Sequence, residues 1–90
     1  MAKYRNRKII EAFQFDGDFM NSNGEYYVPE WAVRGLKRGI LYFDGPELYL
    51  KQGNVSRHIH YGDYIIRDHR GIIDSFGRET FEKWYEKIGE

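Results

Sequence analysis

Turn signals cut this chain into short pieces, and they restrict its fold more than any other feature. Asp16-Gly17, Asn21-Ser22-Asn23-Gly24, Asp44-Gly45-Pro46, Gly53-Asn54 and Gly62 recur along it. Glycine takes positive φ without a Cβ clash, and Asn and Asp side chains bond back to nearby backbone, so these groups mark tight turns. The runs between them suit strands. "KIIEAFQFDG" places Ile9, Glu11, Phe13 and Phe15 on one pleat face and Ile10, Ala12 and Gln14 on the other. Neither face is purely polar, which predicts a central strand. Glu25 to Val28 reads as a short extended piece. Ile40 to Phe43 and Glu47 to Lys51 predict a hairpin, followed by strands over Val55 to His60 and Asp63 to Arg67 and a short one at Ile72-Ile73.

Two stretches carry helical signals instead. In "VPEWAVRGLKRG", Pro29 suits a first helical position, Glu30 the positive end of the dipole, and Gly39 the C-terminal cap. In "RETFEKWYEKI", Phe81, Trp84, Tyr85 and Ile88 fall at i, i+3, i+4 and i+7, which predicts one apolar helix face. The fold class is therefore α+β. It is read as a small, mainly antiparallel sheet of about five to six strands, with a short middle helix and a C-terminal amphipathic helix. Ninety residues make a single domain, 1–90. A chain this size needs a dense core, and 18% aromatic content supplies one.

Charge and composition exclude several function classes. Fourteen basic residues balance fourteen acidic ones, so net positive potential does not drive non-specific nucleic-acid binding, and nucleic acid is not an expected partner. Lys3, Arg5, Arg7 and Lys8 form a basic N-terminal arm, read as solvated. The absence of cysteine suits a reducing cytosol. No apolar run predicts a signal peptide or a membrane span. Ser22, Ser56 and Ser75 lack a nucleophile-elbow context, no phosphate-loop motif occurs, and nothing marks Asp63, Asp68 or Asp74 as catalytic. No enzyme activity and no cofactor are expected.

"RHIHYGDYIIRDHRG", Arg57 to Gly71, holds all three histidines. His58 and His60 share a strand face and could meet one metal, but a zinc site needs a third ligand and no helical His-Glu-x-x-His is present. The expected reading is an exposed histidine face with Ile59 pointing inward, and no metal. Arginine and aromatic residues alternate through the same stretch, a mixture that holds phosphate and stacks a base. "DSFGRETF" adds Arg78 beside a helix start, with Ser75 or Gly77 expected to cap it.

The stretches "KIIEAFQFDGD", "YYVPEWAV", "GDYIIRDHRG" and "FEKWYE" together resemble a family of small proteins from phages and prophages of Gram-positive bacteria, whose function is largely unassigned. "GDYIIR" and "FEKWYE" match the family pattern at its own spacing. Asp68 stands where that pattern has Gly, and Ser75-Phe76-Gly77-Arg78 replaces a Pro-Cys-Lys-Pro loop, with Arg78 keeping a basic group there. The resemblance implies a non-enzymatic accessory protein in the cytoplasm of a bacterial host. The expected function is counter-defence, by sequestering a small anionic ligand such as a cyclic nucleotide immune signal. The proposed contacts are Arg57, Arg67 and Arg70 for phosphate, Tyr61 or Tyr64 and His58 or His60 for stacking, and Arg78. Two alternatives stand beside it: a protein-interaction module that inhibits a host enzyme or defence protein, and a DNA-associated protein. Edge strands of an open sheet can also pair between chains, giving a homo-oligomer.

Overall fold

The computed structural model describes the backbone of residues 2–5, 9–84 and 86–88, and the side chains of residues 11–83. The elements run β1 (Ala2–Arg5), β2 (Ile9–Gln14), α1 (Glu30–Lys37), β3 (Leu41–Asp44), β4 (Glu47–Gln52), β5 (Val55–Ile59), β6 (Tyr64–Arg67), β7 (Ile73–Phe76), α2 (Arg78–Trp84) and β8 (Glu86–Ile88). The α+β class, the antiparallel pairing and a short middle helix agree with the sequence reading. The strands do not form one sheet, however. They divide into a five-stranded sheet, β7-β6-β2-β1-β8, and a three-stranded sheet, β3-β4-β5.

The strand β2 is central, as both of its apolar faces require. It pairs with β1 on one side and with β6 on the other, where Glu11 faces Arg67 and Phe13 faces Ile65. Alternate residues of the five-stranded sheet enter two different cores. Phe13, Phe15, Ile65 and Ile73 join Trp31 and Ala32 of α1 and Leu41, Leu48, Leu50 and Ile59 of the small sheet. Ala12, Tyr64 and Ile66 pack on the opposite face against Phe81 of α2. The large sheet is thus covered on both faces, by α1 and the small sheet on one and by α2 on the other. Among the described residues, no helix is long and apolar enough to cross a membrane.

Three sequence expectations are corrected. Lys3 and Arg5 lie in β1, between β2 and β8, rather than in an arm ahead of the first strand. Arg7 and Lys8 lie outside the described residues. The strand that follows β6 is Ile73–Phe76 rather than Ile72-Ile73, so Ser75 is a buried strand residue and not a helix cap. The C-terminal helix stops at Trp84, and Glu86–Ile88 pairs with β1 as a strand. Trp84 and Ile88 therefore sit in different elements, and Tyr85 lies outside the described residues. The backbone explains the early stop: without β8, β1 would leave a row of donors and acceptors unpaired along its outer side.

Helix α1 keeps the predicted details. Trp31, Ala32 and Gly35 are its buried face, and Gly39 follows it with φ +77°. Pro29 is the capping residue just before the first turn rather than its first member. Gly35 sets how closely the helix approaches the sheet. A Cβ there would lie 2.9 Å from Ile73 Cδ1 and 3.2 Å from Leu41 Cδ1. This close seat brings the arginines of α1 beside the turn that joins β6 to β7.

Candidate functional site

The turn after β6 is folded by Asp68. Its Oδ1 accepts the backbone N–H groups of Arg70 (2.8 Å) and Ile72 (3.0 Å). Its Oδ2 accepts from the Arg70 guanidinium, through Nη2 at 3.0 Å and Nε at 3.3 Å. Desolvation opposes ionisation of this carboxyl. The donors of Ile72 and Arg70 and the Arg70 charge outweigh it and hold the group below its ordinary value. Asp68 thus fixes a turn and aims a guanidinium.

That guanidinium faces α1. Arg34 and Arg38 are four apart and share one helix side. With Arg67 and Arg70 they line a cavity of about 310 Å³, whose apolar walls are Trp31, Gly35, Ile40 and Ile73. Among the described residues no carboxylate lines it. Three of the four arginines are held from outside: Arg34 by Glu30 at 3.3 Å, Arg67 by Glu11, and Arg70 by Asp68. Arg67 also lies over the Trp31 ring, 5.8 Å from its centroid. Arg38 pairs with no carboxylate among the described residues. Each guanidinium carries five N–H donors, and these pairings use only one or two of them. The cavity therefore presents guanidinium donors that these pairings leave unused.

Trp31, Arg34 and Arg67 form a shared wall with a larger cavity of about 740 Å³. This second compartment is lined by Glu11, Phe13, Gln14, Tyr27, Val28, Pro29 and Glu30 besides the shared residues and Ala12. Tyr27 is its most open ring, 47% exposed. The Tyr27 hydroxyl donates to Asp16 Oδ1 at 2.7 Å and lies 2.9 Å from the Asp18 carbonyl oxygen. Partial desolvation, then the bond to Asp16 and the charges of Asp16 and Asp18, push its pKa up to about 12.

Of the contact candidates read from the sequence, the structure brings Arg67, Arg70 and Tyr27 into this pair of cavities. Arg57 ties the two sheets together: its Nη1 donates to Asp74 Oδ1 and its Nη2 to the Ser75 carbonyl, both at 3.0 Å. Tyr64 is buried in the second core, stacked on Phe81 with centroids 4.1 Å apart, and donates to Glu82 at 2.8 Å. Tyr61 is 78% exposed and shares a small cavity of about 240 Å³ with Arg78, Gln14 and Asp16. His58 and His60 lie on the open face of the small sheet. There Tyr42, Tyr49, His58 and His60 form a continuous ladder of rings, with successive centroids 5.4, 5.1 and 4.2 Å apart. His58 Nε2 is 2.6 Å from Glu47 Oε2. Among the described residues no group of three or more His, Cys, Asp or Glu is placed to hold a metal ion.

Arg34, Arg38 and Trp31 line the cavities without having been proposed as ligand contacts from the sequence. The signal for the arginines was present in their i, i+4 spacing on a predicted helix. What it lacked was the partner, because the turn they face lies far along the chain. Compared with protein-family models, with curated proteins and with solved structures, the chain matches none of them.

Proposed function

We propose that this protein is a non-enzymatic binder of a small anionic ligand of nucleotide type. The reading rests on one observation: four arginines converge on a cavity without a carboxylate in its wall, and that cavity opens beside a larger one with an exposed tyrosine. Phosphate oxygens suit the guanidinium fork, which binds them through paired N–H groups. The ring system of such a ligand lies against Tyr27, with Trp31 as the floor between the compartments. In the phage setting that the sequence resemblance implies, such binding is sequestration of a host signal, a cyclic nucleotide being the proposed cargo. The contacts move accordingly from Arg57, Tyr64 and the histidines to Arg34, Arg38, Arg67, Arg70 and Tyr27.

Calorimetry against a panel of cyclic di- and trinucleotides tests this. At least one is expected to bind at micromolar concentration or below. Arg38→Ala is the cleanest variant, because it strands no carboxylate. Loss of one or two charge-assisted hydrogen bonds costs about 1.5–3 kcal/mol each, so binding weakens by about tenfold or more. No heat with any ligand, at protein well above micromolar, contradicts the reading.

One observation favours a second reading, a protein-interaction module. The ring ladder from Tyr42 to His60 stands on an open sheet face, with Tyr42 and His60 exposed. Aromatic residues of this kind anchor interfaces. A stoichiometric protein retained from host lysate, lost on His58→Ala with Tyr49→Ala, supports it; retention of a small ultraviolet-absorbing ligand alone counts against it.

A further inference from the structure

We infer that the ligand carries two nucleobases, a dinucleotide rather than a mononucleotide, with the second base on Tyr61; this rests on the anion-binding reading above and extends it. Three cavities adjoin in series. The arginine cavity shares Trp31, Arg34 and Arg67 with the larger one. The larger one meets the small cavity of about 240 Å³ at Gln14, which lines both. Two hydrogen bonds tie that junction. Gln14 Nε2 donates to the Gly62 carbonyl oxygen at 3.1 Å, and Gly62 is in the wall of the small cavity. The Tyr27 hydroxyl, on the larger cavity, donates at 2.7 Å to Oδ1 of Asp16, on the small one.

Charge and rings are distributed along this series. The arginine cavity has four guanidinium groups and, among the described residues, no carboxylate in its wall, so it takes the phosphate. Arg34 and Arg67 turn donors to the larger cavity as well, so a nucleoside attached to that phosphate lies beside Tyr27. In the small cavity Arg78 and Asp16 balance one another, which leaves the Tyr61 ring as its main offering. Tyr61 is 78% exposed, and one ring edge rests over Gly17. A Cβ at Gly17 would lie 3.7 Å from the ring Cδ2, and φ there is +106°, so a glycine suits the position. An open aromatic ring of this kind stacks a base whatever its identity. Arg67 pairs with Glu11 and Tyr64 with Gln14, three strand residues or about 10 Å apart, and Tyr61 lies a turn further on. One nucleoside reaches from the arginines to Tyr27; a second is needed to reach Tyr61.

The test is calorimetric titration of the whole protein with four probes: inorganic pyrophosphate, 3′,5′-cyclic AMP, the linear dinucleotide pApA and 3′,3′-cyclic di-AMP. At least one dinucleotide is expected to bind about fivefold or more tighter than cyclic AMP, the effect of one stacked base. An advantage for pApA alone assigns an open chain, and for cyclic di-AMP alone a closed one. Tyr61→Ala is expected to bring the dinucleotide and cyclic AMP affinities together, whereas Tyr61→Phe, which keeps the ring, preserves the difference. Equal affinity of cyclic AMP and both dinucleotides, or an advantage that survives Tyr61→Ala, overturns the two-base inference and leaves the anion site standing. So does pyrophosphate binding with no nucleotide binding. Failure of pyrophosphate and of every nucleotide to bind overturns both readings.

Discussion

At Asp68 one carboxylate accepts two backbone donors and a guanidinium, and so joins turn geometry to site electrostatics. Its depressed pKa has a consequence for stability. A carboxyl whose folded pKa lies below its unfolded value stabilises the fold above the unfolded pKa. That contribution is lost as pH falls through the folded value. Asp68→Asn, followed by denaturant midpoints between neutral and acid pH, is expected to remove this part of the acid sensitivity and to destabilise the protein at neutral pH by about 1–2 kcal/mol. An unchanged pH profile contradicts the role. At this scale the sequence was partly legible. Arg67 and Arg70 stood out by the density of arginine around them. Arg57 stood out for the same reason, yet its donors go to Asp74 and the Ser75 carbonyl. Residue type cannot distinguish a guanidinium that clamps two sheets from one that faces a cavity.

Among the elements, α1 shows how a small residue positions a site. Its Arg34 and Arg38 reach the β6–β7 turn because Gly35 lets the helix sit close to Ile73 and Leu41. Gly35→Val is expected to destabilise the fold by about 1–3 kcal/mol through overpacking. Gly35→Ala costs less, since the Ile73 methyl is a side-chain end that can swing aside and alanine favours the helix by up to about 1 kcal/mol. Urea midpoints of the two variants check the order; equal effects contradict the close-approach account. Period-2 alternation correctly indicated β2 through β6, and helical spacing indicated α1. The C-terminal stripe misled because Phe81, Trp84, Tyr85 and Ile88 satisfy a helical repeat that the chain does not complete. Pairing of Glu86–Ile88 with β1 supplies backbone partners that local propensity cannot foresee.

For the whole molecule, two sheets and two helices place an arginine cavity where α1 meets the hairpin of β6 and β7. The class, the antiparallel pairing and most strands were readable from turns and alternation. The division into two sheets was not, because which hairpin joins which sheet depends on contacts between distant strands. The same limit hid the site, whose four arginines come from two segments far apart in sequence. The most direct measurement is a nitrogen-15 NMR titration of the guanidinium N–H resonances with inorganic pyrophosphate. The resonances of Arg34, Arg38, Arg67 and Arg70 are expected to shift together and to saturate with one affinity, while those of Arg57 in its clamp stay in place. Shifts spread evenly over all arginines, or absent from these four, would contradict the assignment of the cavity as an anion site.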